Sequence, residues 1–135
     1  MNVVCMDVKV DQIDLKNLED VFIFALEHFD IKSKVTMQLF KSSYGMTVHG
    51  EKYGVNGVAL RRGKDFVIQV NVSNRSITEM AMTIFHEVTH VMQFEKKFLE
   101  IDRSIPYAER WWEKEAFANE RVLLETYIER ITANV

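Results

Sequence analysis

Five consecutive residues, His86-Glu87-Val88-Thr89-His90, form the pattern H-E-x-x-H. On an α-helix, residues four apart lie one turn apart on the same face, so both imidazoles can bind one zinc ion. Glu87, beside the first histidine, can reach a water molecule on the same metal and act as a general base. The chain has only four histidines in 135 residues, so composition alone rarely produces this spacing. The motif predicts zinc-dependent hydrolysis.

The sequence around the motif predicts the helix that this chemistry requires. Ser76-Ile77-Thr78-Glu79 fits a capping box, which marks a helix N-terminus. On a helical wheel the apolar residues lie within about 60° of the direction of Ile77, and both histidines lie on the opposite side. These apolar positions are Ile77, Met80, Ala81, Ile84, Val88, Val91 and Met92. Two solvent-facing histidines would explain the imidazoles, but they would leave Glu87 without a role.

A third zinc ligand must come from elsewhere in the chain, because catalytic zinc sites use three protein ligands and keep one position for water. No histidine follows His90. Gln93 and Lys96 occupy the last two fixed positions of the longer motif H-E-x-x-H-x-x-G-x-x-H. The third ligand is therefore an earlier histidine, such as His49, or a carboxylate of the last predicted helix. The candidate carboxylates are Glu109, Glu113, Glu115, Glu120 and Glu125.

Helix geometry favours Glu115 among these carboxylates. Its predicted face carries Trp111, Trp112 and small residues, whereas Glu113 and Glu120 point to nearly the opposite side. A carboxylate among apolar side chains needs a charged partner or a metal. Taken alone, Glu115 is best explained by an ion pair with a lysine or arginine. With H-E-x-x-H upstream, we favour the interpretation as a zinc ligand.

The motif followed by Glu115 resembles the gluzincin metallopeptidases, whose third zinc ligand is a glutamate. The segment from Glu115 to Asn119 is similar to the E-x-x-A-N segment of the ImmA/IrrE-type regulatory metallopeptidases. It also resembles the E-x-x-x-D segment of thermolysin-like enzymes, with Asn119 in place of the aspartate. The resemblance covers about residues 76–122. It implies a zincin-like fold, zinc bound by His86, His90 and Glu115, and support of a zinc-bound histidine by Asn119.

The remaining sequence predicts the elements that position the motif. Alternating apolar residues over 4–10 predict a strand, and the 3.6-residue spacing that follows predicts a helix to about residue 29. Residues 34–72 indicate short strands with glycine-marked turns, arranged as an antiparallel meander. A last helix runs from about 107 to 132. We therefore predict one α+β domain over 1–135, with a small antiparallel or mixed sheet, an N-terminal helix, the H-E-x-x-H helix and a long C-terminal glutamate helix.

Composition excludes several classes of function. A formal charge of −3 and a pI near 5.8 give no basic surface for nucleic acid. No apolar run approaches the ~20 residues of a membrane span. The single cysteine, Cys5, indicates a reducing compartment, and the first ten residues lack the features of a signal peptide. We expect a cytoplasmic protein that acts on protein or peptide.

The sequence thus predicts a zinc metallopeptidase with Glu87 as general base. Tyr107, Arg110, Tyr53 and His49 are candidates for a second donor to the oxyanion, and the sequence does not choose among them. Two alternatives stay open. In one, zinc only staples two helices of a non-catalytic domain, although such structural sites usually fill all four positions with protein ligands. In the other, the chain is a metal-free regulatory or interaction protein that only preserves the appearance of the motif.

Overall fold

The computed structural model describes residues 3–6, 10–41, 46–47 and 54–133. Its helices are α1 (Gln12–His28), α2 (Ile77–Lys96) and α3 (Trp111–Ala133), with a 3-10 turn at Tyr107–Glu109. Its strands are β1 (Val3–Met6), β2 (Val35–Phe40), β3 (Met46–Thr47), β4 (Gly54–Val55), β5 (Gly57–Arg62) and β6 (Asp65–Asn71). The predicted α+β class is confirmed. None of the helices in the described part of the chain has the length and apolar character needed to cross a bilayer.

The main sheet is mixed, with the strand order β1-β2-β6-β5. β5 and β6 form an antiparallel hairpin, and Gly63 has a φ of +63° in its turn, a conformation that favours glycine. β3 and β4 also pair antiparallel, in a separate two-stranded sheet. The predicted meander is wrong for β2, which pairs in parallel with β6 and, on its other side, with β1. The parallel register sets Met37 beside Ile68 and Leu39 beside Val70, all of them buried. Burial of these side chains, rather than the length of the connections, decides the pairing.

The core lies between the sheet and helices α1 and α2. Leu18 and Phe22 of α1 are almost completely buried, as are Ile84 and Val88 of α2. Helix α2 is covered on its other side by α3, and every residue from 84 to 93 is buried. A helix enclosed in this way holds its polar side chains in fixed positions, so it is a rigid base for a site.

Helix α3 contacts α2 through a narrow strip in which Trp112, Ala116 and Leu123 are buried. The face predicted to be inward is instead largely open, with Trp111 45% and Val122 53% exposed. Helix α3 is therefore rotated about its axis relative to the orientation inferred from the sequence, and this rotation decides which glutamates face α2.

Candidate metal centre

Helix α2 holds both histidines of the motif on the side that faces α3. Its N-terminus has the predicted capping box, in which Glu79 N donates to Ser76 Oγ over 3.1 Å and Ser76 N donates to Glu79 Oε1 over 3.2 Å. The rings of His86 and His90 lie 4.8 Å apart between centroids, and each residue is only 8% exposed. The predicted pairing of these two histidines on one helix face is confirmed.

A carboxylate of α3 meets both rings. The Nε2 atoms of His86 and His90 each lie 2.9 Å from Oε1 of Glu113. The ligand atoms of the three residues all lie within 4.8 Å of one another. His86, His90 and Glu113 could therefore hold a metal ion.

The other ring nitrogens determine which atoms face this point. His86 Nδ1 lies 2.7 Å from Oε1 of Glu120, and His90 Nδ1 lies 2.7 Å from Oε1 of Gln93. Both partners are oxygen acceptors, so each Nδ1 carries a proton, and a neutral ring then presents the Nε2 lone pair. Two nitrogen lone pairs and the carboxylate oxygen of Glu113 thus converge, and they repel one another unless a cation or added protons lie between them.

In the absence of a metal, protons provide that positive charge. Burial opposes charging of His86, but hydrogen bonds with Glu113 and Glu120 outweigh it and raise the pKa of His86 to about 10. The pKa of His90 is also raised, because its hydrogen bond with Glu113 outweighs burial. Burial likewise opposes charging of Glu113, yet the two histidines lower the pKa of its carboxyl to about 2. The ionised carboxylate of Glu113 thus stabilises positive charge on the two buried imidazoles.

Glu115, the carboxylate favoured from the sequence, is not in this cluster. Its Oε1 accepts from Gln93 Nε2 over 3.0 Å, and its Oε2 pairs with the ammonium group of Lys97. The prediction of Glu115 as the third ligand is therefore wrong, and the simpler ion pair is what forms. The reason is the orientation of α3. Its apolar side chains lie on more than one side, so they do not show which side packs against α2.

The supporting role that the resemblance gave to Asn119 is also corrected. The two Nδ1 atoms are held by Glu120 and Gln93, not by Asn119. Gln93 is completely buried, and its Nε2 also donates to the carbonyl oxygen of Trp112 over 2.9 Å. Gln93 thus joins one ligand to the first turn of α3, next to Glu113. Its position three residues after His90 was the sequence signal for this contact.

Glu87 lies buried beside strand β5. Burial raises the pKa of its carboxyl, against the opposing effect of the two charged histidines. A Cβ atom added at Gly57 would lie 2.9 Å from Glu87 Oε2 and 2.6 Å from Thr83 Cγ2. Only glycine therefore lets β5 approach α2 so closely at the level of Glu87. From the sequence, glycines in residues 34–72 are interpreted only as markers of turns.

A cleft of about 490 Å³ opens over this group. Its walls come from β5, α2, the segment 99–110 and α3. Among the residues that line it are Gly57, Ala59, Thr83, His86, Glu87, His90, Phe94, Leu99, Ile101, Tyr107, Glu113, Phe117 and Glu120. A group that could hold a metal ion is thus accessible from a groove large enough for part of a peptide.

Two of the predicted oxyanion donors lie at this cleft. Tyr107 is half-exposed, and burial together with the negative charges of Glu113 and Glu87 raises the pKa of its hydroxyl to about 12. It therefore remains a hydrogen-bond donor at neutral pH. Arg110 donates from Nε to the carbonyl oxygen of Ile105 over 2.9 Å, so it also fixes the preceding loop. His49 and Tyr53 lie outside the described residues.

Comparison with known proteins places the chain in one family. Neither a curated protein nor a solved structure matches the sequence. Residues 53–131, more than half of the chain, match a family model described as "Protein of unknown function (DUF3920)". This match includes the three potential metal ligands, Glu87 and strand β5. The chain therefore belongs to the DUF3920 family.

Proposed function

We propose that this protein is a zinc-dependent metallopeptidase in which His86, His90 and Glu113 hold the ion and Glu87 is the general base. The observation that carries the proposal is the convergence of two Nε2 atoms and one carboxylate oxygen within 4.8 Å at the cleft. We expect it to cleave protein or peptide in the cytoplasm.

The donor set supports zinc. Two imidazole nitrogens and one carboxylate oxygen are the protein ligands of many catalytic zinc sites, which keep a further position open. The oxygens of Glu120 and Gln93 hold the two rings in the tautomer that binds a metal through Nε2. When bound, zinc lowers the pKa of a water molecule and polarises a carbonyl group.

Glu87 and Tyr107 supply the remaining chemistry. Glu87 takes a proton from the attacking water and passes it to the leaving amine, and its raised pKa suits a group that must both accept and donate. The protonated hydroxyl of Tyr107 is available to donate a hydrogen bond to the developing oxyanion. A zinc ion that only staples two helices would give Glu87 no task at the cleft.

Strand β5 supports a peptide as the substrate. Among the described strands it lies at the edge of the main sheet, and residues 56–59 line the cleft. An edge strand offers unpaired N–H and C=O groups, which an extended peptide can match with main-chain hydrogen bonds. The close contact at Gly57 would bring such a peptide near Glu87.

The test combines metal content with one substitution. Zinc-loaded wild type is incubated with a proteome digest, and new termini are read by mass spectrometry. Glu87→Gln keeps the shape of the side chain but removes the base, so it should retain zinc and lose about 10²–10⁴-fold in rate. New termini formed equally by both proteins would overturn the proposal, as would the absence of bound zinc in the wild type.

A further inference from the structure

The cleft has a direction, because α2 and β5 run the same way. Gly57, the first residue of β5, faces Thr83 and Glu87. Near the far end of the strand, Arg61 pairs with Phe66 of β6, and the ring of Phe66 stacks on Phe94 of α2 at 5.9 Å. Moving along β5 from its start therefore leads from Glu87 past His90 towards Phe94.

Several apolar side chains line the cleft beyond His90. Phe94 lies one helical turn after His90, and Ala59 lines the same cleft from β5, on the strand face that Gly57 turns towards α2. Leu99 is held there by its N–H, which donates to the carbonyl oxygen of Gln93 over 3.1 Å. Ile101, two residues after Leu99, lines the same cleft and is 48% exposed. Apolar side chains that are grouped in a cleft and partly exposed are typical of a ligand groove.

The opposite end is mixed in character. Arg75, Glu79 and Thr83 line it, and Arg75 donates to the carbonyl oxygens of Asn71 and Glu79 and to the Thr83 hydroxyl. Phe117 lies near His86 on the α3 side, with ring centroids 4.7 Å apart. Phe94, Leu99 and Ile101 thus add three apolar side chains after His90, whereas charged and polar side chains prevail around Arg75. Arg103 and Arg110 also line the cleft.

We infer that Ala59, Phe94, Leu99 and Ile101 form a subsite for a large apolar side chain, on the N-terminal side of the cleaved bond. The inference rests on the proposed function. A peptide paired antiparallel with β5, the slightly more stable arrangement, runs from the Phe94 end towards Gly57. Two residues of β5 span about 7 Å and seven residues of α2 about 10 Å. The apolar residue should therefore lie within three positions before the bond.

Peptide binding tests the subsite without turnover. Zinc-loaded Glu87→Gln protein is titrated with fluorescent peptides that carry Phe, Leu, Ala or Asp at each of these three positions. Phe or Leu should bind at least about 10-fold more tightly than Asp at one position, as expected for a filled apolar pocket. Equal binding of Phe, Leu and Asp at all three positions would overturn the inference, even if the wild type cleaves peptides.

A matched pair of variants locates the pocket. In the same background, Ile101→Glu should abolish the preference for Phe and Leu. Ile128→Glu should leave it unchanged, because Ile128 is 47% exposed on α3 and is not among the residues that line the cleft. A preference that survives Ile101→Glu, or apolar enrichment only after the bond in cleavage products, would contradict the assignment. If the protein binds Phe and Leu peptides preferentially but the wild type cleaves no peptide, only the proposed function is rejected.

Discussion

Helices α2 and α3 both contribute residues to the candidate metal centre, but their sequences specify it to different degrees. α2 has a capping box, one apolar side and two histidines with a glutamate at fixed spacing, and the structure follows each feature. α3 is longer, yet only Trp112, Ala116 and Leu123 are buried, and apolar residues such as Ile128 and Ile131 remain about half exposed.

The difference shows how a site can be specified on one helix and completed on another. The relation between His86 and His90 is internal to α2, so helix geometry alone fixes it. The relation of Glu113 to these rings depends on how α3 docks. Glu113 and Glu115 are only two residues apart, and a rotation of about 200° separates their directions on the helix. Substitutions in α2, in α3 and in the elements that pack against α2 can break or sharpen this difference.

The largest contrast should be between the two glutamates at the start of α3. Glu113→Ala removes a direct ligand, so zinc affinity should fall by more than the ~10–100-fold typical of outer-shell groups. Glu115→Ala breaks an ion pair with Lys97 and should change zinc affinity by about threefold at most. Competition titration with a chromophoric chelator measures both. Equal losses would mean that α3 docks in another orientation.

Substitution of the residues that bind the Nδ1 atoms of the two histidines should cause the next largest loss of zinc affinity. Glu120→Ala removes the acceptor of His86 Nδ1, and zinc affinity should fall by about 10–100-fold. Gln93→Leu, which keeps the volume of a buried side chain, should weaken zinc through His90 by a similar factor. Asn119→Ala is the matched control on α3 and should have almost no effect. If Asn119→Ala weakened zinc as much as Glu120→Ala, the assignment of the Nδ1 partners would be wrong.

The close approach of β5 to α2 predicts a moderate loss of stability. Gly57→Ala would place a Cβ atom 2.6 Å from Thr83 Cγ2 and 3.1 Å from the Gln69 carbonyl oxygen. Such overpacking should lower the free energy of unfolding by about 1–3 kcal/mol in urea titrations. Thr83→Ser removes Cγ2 but keeps the hydroxyl that binds Arg75, so the double variant should regain part of the loss. No recovery would indicate that the strain lies elsewhere.

The smallest expected effect is a change in stability on substitution of Glu95, near the C-terminus of α2. The Glu95 carboxylate accepts from the backbone N–H groups of Lys32 and Ser33. Burial opposes its ionisation, but a hydrogen bond from the Ser33 side chain, the two backbone hydrogen bonds and Lys96 together lower the pKa of Glu95 to about 2. The stabilisation is therefore present above about pH 4.5 and is lost as the pH falls towards 2. Glu95→Gln should cost about 1–2 kcal/mol at neutral pH.

Urea titrations of wild type and Glu95→Gln across pH 2–7 measure this contribution. The gap between the two free energies of unfolding should narrow between pH 4.5 and 2, because only the wild type loses a charge there. A gap that stays constant over this interval would show that the carboxylate charge is not what anchors residues 32 and 33.

The sequence by itself determined the features that depend on local geometry. The capping box, the apolar face of α2, the pairing of His86 with His90 and the β5–β6 turn all follow from spacing and residue type over a few positions. The α+β class follows as well, because most strand periodicity is grouped in residues 34–72 and the helical periodicities lie before and after it.

Only the tertiary structure decided the features that depend on how elements meet. The parallel pairing of β2 with β6 depends on which apolar faces become buried together. The choice of Glu113 over Glu115, and of Glu120 and Gln93 over Asn119, depends on the rotation of α3 against α2. The physical reason is that α3 has apolar side chains on more than one side, so several orientations satisfy its pattern and only the contact with α2 selects one.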